Sequence, residues 1–136
     1  MKRVNIICEG KLKEKHFFDA FAEYAKRLSR FCDLRVIETT TMVPYLNRGL
    51  TVVLDVGGAL MTSEELSKTL DKAYITASEV NFFIGGSTGL CETVKAAADI
   101  TISFGRFTYP HQLMRVMLAE QIYRAFCITA GVKYHK

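Results

Sequence analysis

Residues Leu50–Val56 read LTVVLDV, a near-continuous apolar run of strand length. Such a run has no polar face to offer water and suggests a strand buried on both sides, as in a parallel sheet covered by helices. The rest of the chain supplies matching pieces. Val4–Cys8 (VNIIC) is a short β-branched apolar run and reads as a first strand. Phe17, Phe18, Phe21, Tyr24, Ala25, Leu28 and Phe31 then recur at helical spacing among Lys and Glu, which predicts a helix over 14–31. Leu34–Thr39 (LRVIET) reads as the second strand and Leu50–Val56 as the third. Thr62 and Glu65 have the spacing of a capping box and open a helix to Ala77. Val80–Ile84 is the fourth strand, Leu90–Ala98 a short helix and Ile100–Ser103 the fifth strand. Pro110 stands in the first turn of a long last helix that stops near Gly131. Strands alternating with helices predict an α/β fold: a mainly parallel five-stranded sheet flanked by helices, as one domain over residues 1–136.

Two features depart from an ordinary α/β pattern. Only TTMVPYLNRG separates the second and third strands, and a parallel crossover usually needs a dozen residues or more. The last helix carries apolar residues almost all the way round, from Leu113 to Ile128, rather than along one stripe. A helix of that kind is buried on more than one side. In a domain this small a second copy of the chain would cover it, so a homodimer is expected.

Hydrophobic residues make up 49% of the chain and charged residues 24%, ordinary values for a globular fold. No window approaches the roughly 18–20 apolar residues of a membrane span. MKRVNIICEGKLKEK lacks the features of a signal peptide, so a cytoplasmic location is expected. Cys8, Cys32, Cys91 and Cys127 lie far apart in apolar surroundings and are expected to be buried free thiols, without zinc or disulfide. Charge is unevenly spread. Residues 1–35 carry nine Lys/Arg against five acids, residues 36–104 four against eight, and residues 105–136 five against Glu120 alone. Basic ends make a polyanion footprint if the fold brings them together.

The fourth strand runs into FFIGGSTGL, which places Gly85, Gly86 and Gly89 within five positions. This is neither G-x-G-x-x-G nor a G-x-x-x-x-G-K-[ST] phosphate loop. It is a bare-backbone loop at the C-terminal edge of a sheet, where α/β proteins usually hold ligands. The fifth strand ends in a similar loop, FGRFTYPH (Phe104–His111). Glycine backbone, apolar side chains and one arginine suit a flat aromatic group such as adenine. Among the histidines, His16 is expected at the surface. His111 either caps the last helix or lines the pocket, and His135 lies in the terminal Tyr134-His135-Lys136. No Ser-His-Asp set, H-E-x-x-H motif or carboxylate pair is recognisable, so hydrolytic and metal chemistry are disfavoured.

Taken together, Ile6-Ile7-Cys8 with EGKLKEK, then EYAKRL, LDVGG, TSEEL, FFIGGSTGL and TYPHQLMRVMLAEQIYRAFCITAGVKYHK, resemble the RlmH (YbeA) family. These are SPOUT-class methyltransferases of large-subunit ribosomal RNA, and the resemblance spans nearly the whole chain. It implies a C-terminal trefoil knot, a homodimer, and methyl transfer from S-adenosyl-L-methionine to N3 of a 23S rRNA pseudouridine in the assembled ribosome. Carried over by position, the cofactor contacts are Leu54, Gly85, Gly86, Gly89 and the stretch Arg106, Phe107, Thr108, Tyr109, Pro110 and His111. Tyr134, His135 and Lys136 match the family's tail and carry the expected catalytic roles, with His135 assisting loss of the N3 proton. Lys11, Lys13, Lys15, Arg106 and Lys136 are the expected RNA contacts. The short TTMVPYLNRG segment, Ser87-Thr88, Ala59 and Lys133 depart from the family's pattern. A SPOUT enzyme acting on another RNA such as tRNA, or a non-catalytic ribosome-binding dimer of the same fold, are the alternatives.

Overall fold

A computed structural model describes all 136 residues. Five strands form one sheet: β1 (Arg3–Cys8), β2 (Asp33–Glu38), β3 (Leu50–Leu60), β4 (Glu79–Ile84) and β5 (Ile100–Ser103). The helices are α1 (Lys15–Leu28), α2 (Ser63–Thr76), α3 (Glu92–Ala96) and α4 (His111–Ala130). The strand order is β2-β1-β4-β3-β5 and every neighbouring pair is parallel.

Apolar doublets explain how the sheet is buried on both faces. Successive side chains of a strand point to opposite sides. Ile6, Val52 and Phe82 therefore join the larger core, together with residues of α1, α2 and α4. Their neighbours Ile7, Val53 and Phe83 join a smaller core with Met42, Leu90 and Val94. Asn5 and Asn81, in register on β1 and β4, are buried and satisfy each other through a 2.7 Å amide hydrogen bond.

The strand order accounts for the short link after β2. β2 and β3 are separated by β1 and β4, a lateral step of about 14 Å at about 4.8 Å per strand. An irregular segment covers that easily. It contains only one 3₁₀ turn, Val43–Tyr45, and drops Met42 into the smaller core.

Elements match the sequence expectation with shifted ends. α1 stops at Leu28 rather than residue 31, and α3 is shorter than Leu90–Ala98. β3 runs on to Leu60 through an irregularity between Leu54 and Ala59. Both of those residues sit in register with Ile102 of β5, so Asp55–Gly58 bow away from the ladder. Thr62 caps α2 with both bonds of the capping box present.

Much of the apolar surface of α4 is used within the chain, because α4 packs against both α1 and α2. Phe126 stacks on Phe31 at 5.8 Å, and Ser67 of α2 donates to the Ala125 carbonyl at 2.9 Å. Leu113, Met114 and Met117 are only partly buried within the chain. One expectation is corrected. Cys91 is exposed, because it follows the surface turn that opens at Gly85, whereas Cys8, Cys32 and Cys127 are buried. Burial raises the Cys8 and Cys32 thiols to about 11, which makes them inert. No helix is long and apolar enough to cross a membrane.

Candidate functional site

The C-terminal edge of the sheet carries two loops side by side, one after β4 and one after β5. In the first, the Gly89 amide donates to the Gly86 carbonyl at 3.0 Å and Gly89 adopts φ +77°. The loop closes so tightly that a Cβ on Gly85 would stand 2.6 Å from the Gly89 carbonyl carbon and 2.7 Å from the Leu90 nitrogen. Gly85 is thus required by the chain's own close approach. In the second loop, Ser103 Oγ accepts from the Gly105 amide at 3.1 Å. Arg106 Nη1 donates to the carbonyls of Val56 and Gly58, the latter at 3.1 Å. The outward bow of β3 is therefore pinned to the β5 loop.

Between these loops lies a cavity of about 210 Å³. Leu54, Ile84, Leu90, Ile102 and Phe104 form its apolar floor, and Gly85, Gly86, Gly89 and Gly105 contribute bare backbone. Asp55 and Val56 bound it on the β3 side; Phe107, Thr108, Tyr109, His111 and Met114 bound it on the other. Its volume is below the roughly 300–1,000 Å³ of sites that enclose a whole drug-sized ligand. The enclosed part suits one flat ring, with the rest of a ligand running along the open rim past the exposed Phe107.

Of the expected cofactor residues, Leu54, Gly85, Gly86, Gly89, Phe107, Thr108, Tyr109 and His111 line this cavity. Arg106 and Pro110 do not. The Arg106 guanidinium is turned to the β3 carbonyls, and Pro110 is the residue at which α4 begins. Asp55 escaped the sequence reading, although its place at the C-terminal end of the LTVVLDV strand was the available signal. Its Oδ2 accepts from the Gly57 amide at 3.0 Å. No group of His, Cys, Asp and Glu side chains that could hold a metal ion is present.

The β1–α1 loop, carrying EGKLKEK, stands at the same edge. Gly86 faces Glu9, and Gly10 faces His111 Nε2, from which a Cβ would be 3.9 Å away. Lys11 and Lys13 are exposed beside the cavity, whereas Lys15 is paired with Asp19 at 2.6 Å. Arg115, one of the basic residues near the C-terminus, is not part of any surface footprint. It is only 2% exposed and bonds Glu38 at 2.6 Å. Burial alone would raise the Glu38 carboxyl, but hydrogen bonds from Arg115 and the Leu12 amide hold it below the ordinary 4.5. A lowered carboxylate contributes stability that is complete above its unfolded pKa and is lost as pH falls through the folded value. Glu38→Gln is therefore expected to lower stability at pH 7 and to flatten the loss of stability below about pH 4.5, as read by urea unfolding at a series of pH values.

The terminal tripeptide is packed in place, not free, and does not line the cavity of its own chain. The Tyr134 hydroxyl donates to Glu120 at 2.8 Å and its ring lies under Arg124 at 4.7 Å. Burial, then the Glu120 carboxylate, push this phenol well above its ordinary value, so it is a donor at neutral pH. His135 bonds Arg124 Nη1 through Nδ1 at 3.1 Å and Glu64 through Nε2. An arginine only donates, so Nδ1 accepts and the proton sits on Nε2, facing the carboxylate. That hydrogen bond is the main reason the Glu64 carboxyl lies below its usual range. Lys136 is exposed at the end. A second cavity, of about 420 Å³, lies across Ile102 and Phe104 and includes Glu120 and Ser63 in its wall. It is larger but has no glycine backbone in its wall, and it lies on the α1, α2 and α4 side of the β5 end.

Comparison with known proteins agrees with this layout. The family described as "Predicted SPOUT methyltransferase" matches residues 40–135. A ribosomal RNA large subunit methyltransferase H of Streptococcus pneumoniae is 40% identical over 158 residues, covering 98% of this chain and 99% of that protein. The protein of the same name from Caldicellulosiruptor saccharolyticus is 37% identical over 153 residues, with the same coverage. Both alignments are longer than 136 residues, so these relatives carry residues that this chain lacks. Among solved structures, a probable methyltransferase from Bordetella pertussis superposes with a TM-score of 0.60 at 14% identity, covering 92% of this chain and 96% of that one. A probable methylase family protein from Haemophilus influenzae superposes at 0.61 and 10% identity, covering 98% and 70%. These likenesses show the fold, and the sequence matches show the family: the chain is a SPOUT methyltransferase of the large-subunit ribosomal RNA methyltransferase H group.

Proposed function

We propose that this chain methylates N3 of a pseudouridine in large-subunit ribosomal RNA, using S-adenosyl-L-methionine. The observation that carries the reading is the cavity between the Gly85–Leu90 and Phe104–His111 loops, in a chain of this family. The residues present fit the donor. An apolar floor suits a flat adenine, glycine backbone supplies hydrogen bonds to its edge, and Asp55 offers a carboxylate to a cationic ligand. When bound, this group supplies an electrophilic methyl on a positively charged sulfur. Leu54, Ile84 and Ile102 exclude water beneath it, and Thr108, Tyr109 and His111 close its outer side. Lys11 and Lys13 hold phosphate and contribute affinity rather than base choice.

The catalytic tail is assigned to a homodimer, in which Tyr134, His135 and Lys136 of one copy serve the cavity of the other. What supports this is the packed tail that nonetheless leaves its own cavity untouched. His135, a residue type that titrates near neutrality, assists loss of the N3 proton after exchanging its Arg124 and Glu64 partners for the base. His135→Ala is expected to lower turnover by about 10²-fold or more while donor affinity holds; unchanged turnover sinks this role. Mixing His135→Ala and Gly85→Ala chains, each impaired alone, should restore part of the activity only if sites are shared between copies.

The direct test is mass mapping of methylated pseudouridine in large ribosomal subunits treated with the protein and labelled donor. Free tRNA is the comparison substrate, and methylation of tRNA instead would select the tRNA reading. Calorimetry with the donor separates either enzyme from a binding module, which would show no saturable uptake.

A further inference from the structure

The β1–α1 loop has no secondary structure of its own, yet it is held at three points. The Leu12 amide donates to Glu38 Oε2 at 3.2 Å. The Lys13 and Glu14 amides both donate to Gln112 Oε1, at 3.1 and 3.4 Å. The Gly10 carbonyl accepts from Arg115 Nη2 at 3.2 Å, and the same guanidinium binds Glu38 through Nη1. The anchors therefore converge on two residues, Gln112 and Arg115, one turn apart at the start of α4. That is the helix whose first residue, His111, lines the cavity. Burying an arginine is costly unless its charge and N–H groups are satisfied. Arg115 is nearly fully buried, and its Nε still lacks a partner. A well-packed apolar residue would serve stability at least as well at such a position. What the arginine adds is a fork that reaches a loop carbonyl and a strand-end carboxylate together.

We propose that Gln112 and Arg115 are positioning residues that clamp the Lys11–Lys13 loop to the α4 N-terminus, presenting a rigid pair of cations to RNA phosphate beside the cavity. The clamp rests on the proposed function for its partner, an RNA. Its physical effect is to remove the entropy that a flexible Gly-Lys-Leu-Lys loop would lose on binding. Since Lys11 and Lys13 meet the phosphates, Gln112 and Arg115 act only through them.

The test is binding of isolated large ribosomal subunits, measured without methyl donor over a series of salt concentrations, so that it does not depend on turnover. Lys11→Ala with Lys13→Ala is expected to weaken binding roughly tenfold and to reduce the salt slope by about one for each phosphate no longer neutralised. Gln112→Ala, which buries no charge, should reproduce most of that loss. In the methylation assay it should raise KM for subunits while leaving kcat and donor affinity unchanged. Gln112→Glu keeps the acceptor oxygen and should restore binding. Combined with the lysine pair, Gln112→Ala should add little, because both changes remove the same interactions. Arg115→Lys should behave as Gln112→Ala does. Full additivity, or normal binding and salt slope in Gln112→Ala, overturns the clamp. A lysine-pair variant that binds normally overturns it as well, by removing the loop from the RNA surface. Normal methylation of tRNA with none of subunits would instead overturn the proposed function, and the subunit-binding results would stand apart from it.

Discussion

Gly85→Ala is expected to weaken binding of the methyl donor at least about tenfold while leaving the sheet assembled. The added methyl would stand 2.6 Å from the Gly89 carbonyl carbon, 2.7 Å from the Leu90 nitrogen and 2.9 Å from the Gly89 Cα. These are all main-chain atoms, so no side chain can swing aside. The loop can respond only by opening, which breaks the Gly86–Gly89 bond and pulls Leu90 out of the smaller core. Overpacking of this kind costs about 1–3 kcal/mol in stability, and the loss at the cavity is larger because Gly85, Gly86, Gly89 and Leu90 all line it. Calorimetry with the donor should show at least about a tenfold loss of affinity, worth about 1.4 kcal/mol, with little change in far-ultraviolet dichroism. Thr88→Ala, in the same loop but exposed and outside the cavity wall, is the control and should bind normally. If Gly85→Ala binds as tightly as the control, the loop is not a wall of the donor site.

Gly58→Ala should give the greatest loss of stability. Its Cβ would lie 2.8 Å from the Thr101 carbonyl carbon and oxygen and from the Ile102 carbonyl carbon. Here the bulged backbone of β3 lies against that of its parallel neighbour β5 at van der Waals distance. The bow from Asp55 to Gly58 is fixed on both sides by pairing of Leu54 and Ala59 with Ile102, and by the Arg106 hydrogen bonds. Neither strand can give way without breaking the β3–β5 ladder, so a loss on the order of 3 kcal/mol or more is expected. Urea unfolding measures it, and Gly57→Ala supplies the contrast. At Gly57 a Cβ meets only the Asp55 carboxylate oxygen, at 3.1 Å, and a side chain can move. Equal stability of the two variants would show that the pairing has slack.

The elements that could be read from the sequence are those whose signal is local. The doublets Ile6-Ile7, Val52-Val53 and Phe82-Phe83 announce strands with two buried faces, and the structure divides each doublet between two cores. The glycine cluster at the end of β4 and Gly105 at the end of β5 likewise mark the cavity in the sequence itself. What escaped depends on distant residues. Arg115 looked like surface charge because its partner Glu38 lies 77 positions away. The continuation of β3 through Val56-Gly57-Gly58-Ala59-Leu60 carries no strand signature, since glycine and alanine are poor strand formers and the register slips there. The packing of α4 between α1 and α2 follows from the strand order, which no periodicity encodes. The packing of the tail carries no local signal either, because Glu120, Arg124 and the distant Glu64 hold it.

The bulged β3–β5 pairing also governs how the chain reaches its native state. With every strand pair parallel, no hairpin can form as a quick local nucleus, and each pairing must wait for closure of a longer loop. β5 pairs with β3 alone, at the sheet edge, and its approach to Gly58 requires the Asp55–Gly58 bow to be shaped around it. α4 comes after β5 in the chain and is the element that fills the space between α1 and α2. Refolding should therefore be slow for a chain of this length, with residues 100–136 seated last. Until then the apolar faces of α1 and α2 stay open to solvent, and this is the interval in which the protein is most prone to aggregate.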